Sequence, residues 1–137
     1  YLRRSLATGP TYRATTFLAG RLQPGETVRF LNDAQIYYVP YATEPDHLDL
    51  ALITLMEAHP DPDAALAALR ADRVAYLVVN EGNIRYRLRF DPDGRLLRAQ
   101  RAFARVTPLL EPIYRDGPAS ATSIAIYRIP ADAAAGR

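Results

Sequence analysis

The sequence predicts an α/β fold, a Rossmann-like layered sandwich with a mostly parallel sheet that an antiparallel C-terminal hairpin closes. Segments with helical spacing alternate with short apolar segments along most of the chain. Residues 74–79 form a continuous apolar run rich in Val, as is typical of a strand that is buried on both faces. Near the C-terminus, two β-rich segments flank Asp116, Gly117 and Pro118, which favour a turn.

The N-terminal part of the chain predicts one helix and two short strands. The helix spans residues 12–22, because three apolar side chains fall on one face and a Pro-Gly pair follows. The strands span residues 28–31 and 36–39, and the second is rich in Tyr and ends at a proline.

Two helices are predicted in the middle of the chain. Residues 46–58 have apolar side chains at intervals of three and four, and Asp46 is placed to cap this helix. A break follows, and Asp61 then caps a helix that has Pro62 at its first position and ends near Asp72.

The segment after residues 74–79 predicts a turn at residues 80–83 and then a half-exposed strand at residues 84–90. This second segment alternates strictly, and a period of two is typical of a strand with one face in solvent. One face of that strand would carry Ile84, Tyr86, Leu88 and Phe90, and the other Arg85, Arg87 and Arg89.

The remaining sequence predicts a turn at residues 91–94 and a helix over residues 95–110. Strands at residues 112–115 and 123–129 would form the closing hairpin. We expect one domain over residues 1–130 and a flexible tail over residues 131–137. The inward face of the helix would carry Leu96, Ala99, Phe103, Val106 and Leu110.

Composition excludes several kinds of chemistry. The chain has no Cys, which removes disulfides and thiolate catalysis, and all 17 basic residues are Arg, which removes Schiff-base lysines. The formal net charge of +2 does not indicate a nucleic-acid partner. No segment approaches the roughly 18 apolar residues of a membrane-spanning helix. No cofactor is expected.

Two surfaces are candidates for binding. Open α/β sheets place ligand clefts at the carboxyl ends of their strands, and between residues 85 and 105 the sequence has seven Arg against two Asp. These arginines favour either phosphate groups, such as lipid headgroups, or simply a solvated face. The predicted cleft comprises Asn32, Asp33, Tyr37, Tyr38, Asn80 and Asn83, and the predicted phosphate or lipid contacts are Arg85, Arg87 and Arg89.

The order of several short motifs resembles the region after the last transmembrane helix in GT-C membrane glycosyltransferases, which are similar to dolichyl-phosphate-mannose–protein mannosyltransferases. There a Tyr-Leu pair precedes a helix, a Pro-x-Gly motif precedes a strand, a Tyr-Tyr strand follows, and a Tyr-Leu-Val-Val strand and a hairpin come later. The matching parts here are Tyr1 to Arg4, residues 12–22, Gln23 to Val28, Tyr37 with Tyr38, residues 63–79, Pro112 to Gly117 and Ala125 to Ile129.

The resemblance implies a non-catalytic extracytoplasmic domain that aids acceptor recognition or stability. Its partners would be the membrane-spanning part of the same polypeptide, lipid headgroups or a sugar acceptor. The catalytic acid of that family lies in an early loop between membrane spans, so no catalytic residue is carried over. The chain begins at Tyr1 rather than Met, so we expect an N-terminus that is either processed or cut from a larger protein.

Two alternatives remain open from the residues. One is a free-standing α/β module that binds a small ligand at the predicted cleft. The other is a metal-dependent hydrolase, because His and carboxylate side chains together bind divalent metals. Its candidate ligands are His47 and His59 with Asp46, Asp49, Asp61 and Asp63.

Overall fold

In a computed structural model of the chain, helices pack against a mixed β-sheet. The structure describes residues 10–31, 43–44, 50–116 and 123–131. Four strands make up the body of the sheet, and a strand of two residues extends it at one edge. The α/β class that the sequence predicts is therefore confirmed.

The elements are numbered in chain order. The described helices are α1 (Pro10–Ala19), α2 (Ala51–Ala58), α3 (Pro62–Ala71), α4 (Glu81–Arg87) and α5 (Arg95–Val106), with 3-10 turns at Leu88–Phe90 and Thr107–Leu109. The strands are β1 (Thr27–Leu31), β2 (Thr43–Glu44), β3 (Val74–Asn80), β4 (Glu111–Asp116) and β5 (Ile124–Arg128).

The strand order is β2-β1-β3-β5-β4, with β3 at the centre. β1 runs parallel to both β2 and β3, and Leu31 pairs with Val79. On its other side β3 pairs antiparallel with β5, which in turn pairs antiparallel with β4. Both hydrogen-bonding edges of β3 are thus occupied.

Each face of the sheet carries its own apolar core. On one face, α1 packs on Phe30, Tyr76 and Val78. On the other, side chains of α2, α3 and α5 surround Leu77 and Val79. Because side chains alternate along a strand, the apolar residues of β3 contribute side chains to both cores. This is expected of a strand that is buried on both faces.

Local capping fixes where two of the helices begin. The side chain of Asp61 accepts a hydrogen bond from the Ala64 N–H at 3.0 Å, and Pro62 occupies the first turn of α3, as predicted. The Asp91 carboxylate accepts hydrogen bonds from the N–H groups of Leu96 and Leu97 at 3.1 and 2.9 Å, so the predicted turn before α5 is also its cap.

Most predicted elements are present, with shifted ends. The first helix ends at Ala19 instead of residue 22, and the second begins at Ala51, while Asp46 lies outside the described residues. The predicted inward face of α5 is buried as expected, although regular helix stops at Val106 and a 3-10 turn completes it. The segments 36–39 and 132–137 lie outside the described residues.

The predicted turn at residues 80–83 and the predicted strand at residues 84–90 are wrong. Glu81–Arg87 is helix, and Leu88–Phe90 continues it as a 3-10 turn. The reason is that a period of two over seven residues also contains pairs at i and i+4, which share a helix face. Ile84 and Leu88 therefore pack inward as one such pair, without any strand.

Candidate functional site

The candidate site lies at the carboxyl end of β3 and on residues 81–90, which we call the 81–90 segment. Asn80 ends β3 and caps α4, since its side-chain Oδ1 accepts a hydrogen bond from the Asn83 N–H at 2.9 Å. An acidic residue, Glu81, stands in the first turn and arginines stand in the last, an order that suits the helix dipole. The sequence folds as helix here because Asn80 is a favourable cap.

The structure brings two of the six predicted cleft residues together. Asn80 and Asn83 are partly buried and joined by the capping hydrogen bond. The other four, Asn32, Asp33, Tyr37 and Tyr38, lie outside the described residues. The pairing of Leu31 with Val79 places the end of β1 beside the end of β3, which is the edge where the cleft was predicted.

A polar cluster joins α4 to the antiparallel strands. Glu81 forms an ion pair with Arg115 at 2.6 Å, and the hydrogen bond from Arg115 to Glu81 raises the pKa of the guanidinium. Burial, with the Glu81 charge second, raises the pKa of Tyr127. The N–H of Gly82 donates to the Ser123 carbonyl at 3.3 Å. These contacts fix α4 against the edge of the sheet.

Two aromatic side chains protrude from the outer side of the 81–90 segment. Tyr86 is 56% exposed and Phe90 is 69% exposed, and their rings meet edge to face with centroids 5.7 Å apart. Ile84 and Leu88 occupy the inner side. Among the large apolar side chains that the structure describes, these two are the most exposed.

The three predicted phosphate contacts all belong to the 81–90 segment, on a helical surface rather than on one face of a strand. Arg87 and Arg89 are exposed and Arg85 is partly buried. Arg85 and Arg89, one helical turn apart, line an open cavity of about 260 Å³ together with Gly82 and Tyr86. The lining residues supply two guanidiniums and a phenol, which suits a phosphate oxygen anion.

The last six residues of the 81–90 segment are rich in arginine. Residues 85–90 contain three Arg and no acid. The two nearest acids along the chain have other roles, because Glu81 binds Arg115 and Asp91 caps α5. The 81–90 segment therefore carries three arginines beside an exposed aromatic pair.

Tyr86 and Phe90 were not predicted to be surface residues, because the predicted strand placed them on the buried face with Ile84. A signal was present: Asn80 followed by Glu81 is a favourable helix start, and both Ile84 with Leu88 and Tyr86 with Phe90 have helical spacing. In a helix, Ile84 and Leu88 fall on one side and Tyr86 and Phe90 on another. A strand with a period of two would place all four side chains on one face.

The part of the chain that the structure describes also bears on metal binding and on membrane crossing. There, no three or more His, Asp or Glu side chains come close enough to hold a metal ion. Of the hydrolase candidates, Asp61 caps α3, whereas His47, Asp46 and Asp49 fall in the gaps of the description. None of the described helices is long and apolar enough to cross a bilayer.

An open groove lies at the opposite end of the strands. It has a volume of about 350 Å³ and is lined in part by Glu26, Arg70, Arg73 and Pro130. The Arg70 Nε donates to the Pro130 carbonyl at 2.9 Å, so this guanidinium holds the chain after β5 in place. The groove is thus a structural junction.

Comparison with the profiles of known protein families, with curated proteins and with solved structures gave no match.

Proposed function

We propose that this chain is the non-catalytic, extracytoplasmic accessory domain of a multi-spanning membrane glycosyltransferase. The observation that carries the proposal is the ordered series of motifs that resembles the region after the last span of such enzymes. Several of these motifs fall on elements that pack together in the sheet: the helix α1, the strand β1, the unit of α3 with β3, and the strands β4 and β5. The series is thus compatible with one folded unit.

The motif series does not cover the whole chain. Residues 85–90, between β3 and α5, have no counterpart in it. They lie outside the sheet, as helix, and they carry the exposed aromatic and basic side chains.

The finer description of the fold belongs to this proposal. We infer a Rossmann-like layered sandwich that an antiparallel hairpin closes. Its support is the presence of helices on both faces of the sheet, the parallel pairing of β1 with β3, and the antiparallel pairing of β4 with β5. Such a layering would place the predicted cleft beside Asn80 and Asn83, where a sugar acceptor would bind.

The role of the domain is acceptor recognition or stability of the enzyme rather than bond making. The described cavity on the 81–90 segment is lined by Gly82, Arg85, Tyr86 and Arg89, and these supply neither a carboxylate nor an imidazole for general acid–base catalysis. They supply cations that bind phosphate, which a lipid-phosphate sugar donor or a lipid headgroup presents.

The test uses the complete protein that contains this chain, expressed in membranes with and without residues 1–137. Transfer of a labelled sugar from a polyprenyl-phosphate donor to membrane acceptors is measured. The full protein should transfer sugar, and the shortened one should retain the chemical step with a higher KM for the acceptor or a lower membrane content. Sugar transfer that is absent from the full protein, with every donor tried, would argue against the proposal.

A further inference from the structure

We propose that the cavity on the 81–90 segment binds a sugar ring that carries an acidic group. The sugar ring stacks on the ring of Tyr86, and the acidic group, a carboxylate or a phosphate, binds the Arg89 guanidinium. The inference rests on the proposed function, which brings the domain into contact with sugar acceptors. It names the chemical class of acceptor that the domain recognises.

The cavity lies on one side of the segment. Its volume is about 260 Å³, and it is lined by Gly82, Arg85, Tyr86 and Arg89. Residues at the spacing i, i+3, i+4 and i+7 share one face of a helix, and these four have that spacing. Tyr86 and Arg89 can therefore contact one ligand at the same time. Gly82 has no side chain that would fill the space between them and the sheet.

The ring of Tyr86 provides the stacking surface. This side chain is 56% exposed, and the Phe90 ring meets it edge to face at a centroid distance of 5.7 Å. The contact with Phe90 supports the Tyr86 ring and leaves much of its surface open. The face of an aromatic ring is negative, so it attracts the slightly positive C–H groups of a sugar ring. The phenol hydroxyl can also exchange hydrogen bonds with sugar hydroxyls.

Arg89 provides the positive charge. Arg85 and Arg87 each have an interaction of their own inside the protein, so the acidic group is not assigned to them. Arg89 is exposed at the cavity, and in the part of the chain that the structure describes its side chain forms no ion pair. A guanidinium can bind a carboxylate or a phosphate through two parallel N–H bonds.

The combination of ring and cation favours an acidic sugar over simpler ligands. A neutral sugar would use the Tyr86 ring and leave the Arg89 charge without a partner. Inorganic phosphate would use Arg89 and leave the ring in water. Small-ligand sites typically join an aromatic surface to a few polar groups in this way.

The test is an NMR titration of the 137-residue chain that follows the amide signals of Tyr86 and Arg89. The probes are D-glucuronate, D-glucose 6-phosphate, D-glucose, acetate and inorganic phosphate. We expect one of the two acidic sugars, at least, to bind more tightly than D-glucose and than the simple anion with the same acidic group. Tighter binding of D-glucuronate would indicate a carboxylate ligand, and tighter binding of D-glucose 6-phosphate a phosphate ligand. If the simple anions bound as tightly as the acidic sugars, or if no probe bound, the proposal would be overturned.

Two variants and two matched controls locate the site. R89S should weaken binding of the acidic sugar by about tenfold or more, because charge-assisted hydrogen bonds are lost. Y86S should weaken it by about fivefold, because the stacking surface is lost. Y12S and R101S remove an exposed Tyr from α1 and an exposed Arg from α5, and both should bind like the parent chain. Equal losses in the variants and their controls would overturn the proposal.

Two further outcomes separate this inference from the proposed function. Absence of acidic-sugar binding in a chain whose gene also encodes membrane spans would overturn the sugar site alone. Binding that R89S and Y86S weaken, in a chain whose gene encodes no spans, would contradict the proposed function and leave the sugar site standing.

Discussion

The rings of Tyr86 and Phe90 meet edge to face on the outer side of a short helix, while Ile84 and Leu88 of the same helix pack into the core. The four apolar residues that alternate in the sequence therefore lie on two different surfaces of the segment. The inner surface attaches the helix to the domain. The outer surface carries the exposed aromatic pair.

Stability should distinguish helix from strand at residues 84–90. Ile84 is 4% exposed and Tyr86 is 56% exposed. Ile84→Ala should therefore lower the free energy of unfolding by about 2–5 kcal/mol, and Tyr86→Ala by less than about 0.5 kcal/mol. Urea unfolding measures both. Similar losses at the two positions are what a strand with both residues on its buried face would give.

The Asn80 cap should be measurable on its own. Asn80→Ala removes the acceptor for the Asn83 N–H and should cost about 1 kcal/mol in the free energy of unfolding. Asn80→Asp keeps an acceptor at the same position and should retain most of the stability. If the alanine variant were as stable as the parent chain, the cap would not be what starts α4.

The sequence predicted correctly those elements whose start or type depends only on neighbouring residues. Asp61 followed by Pro62 predicts a helix start from two residues, and the apolar run at 74–79 predicts a buried strand, so both are confirmed. Residues 84–90 failed because their pattern fits both periods. The Asn80 cap favours helix, and β1 and β5 already occupy both edges of β3, so residues 84–90 cannot pair with that strand.

The candidate site was predictable only in part, for the same reason. The arginines were identified from composition, and their grouping does not depend on the fold of the segment. The aromatic pair was assigned to the core, because which of the alternating side chains faces solvent depends on the helix. Asn80 and Asn83, which were predicted to line the cleft, are close to each other. The contact between them is the hydrogen bond that caps α4.

An ion pair at the end of β4 should make stability depend on pH. The Arg13 guanidinium donates to both carboxylate oxygens of Asp116, at 2.5 and 3.1 Å, and the Tyr114 hydroxyl donates at 2.9 Å. The hydrogen bonds from Arg13 and then Tyr114 lower the pKa of Asp116 below its ordinary value of 3.8. The contact joins α1 to β4 across the sequence.

The direction of this pH dependence follows from the lower pKa of Asp116 in the folded chain. Because the folded pKa is the lower one, the carboxylate stabilises the fold above pH 3.8 and this contribution is lost as the pH falls through the folded value. Asp116→Asn should therefore lower the urea midpoint at pH 7, and the difference from the parent chain should shrink near pH 2. Asp93→Asn, at an exposed loop position, is the control and should show no such trend. A difference that stays constant with pH would contradict the assignment.

The sequence of the gene upstream of Tyr1 tests the central claim most directly. We predict that it encodes several segments of about 20 apolar residues each, long enough to span a bilayer. This chain would then be the accessory domain that follows the last span. A gene that begins close to Tyr1, with no such segments, would contradict the account, and the 81–90 segment would have to be explained as the surface of a free-standing module.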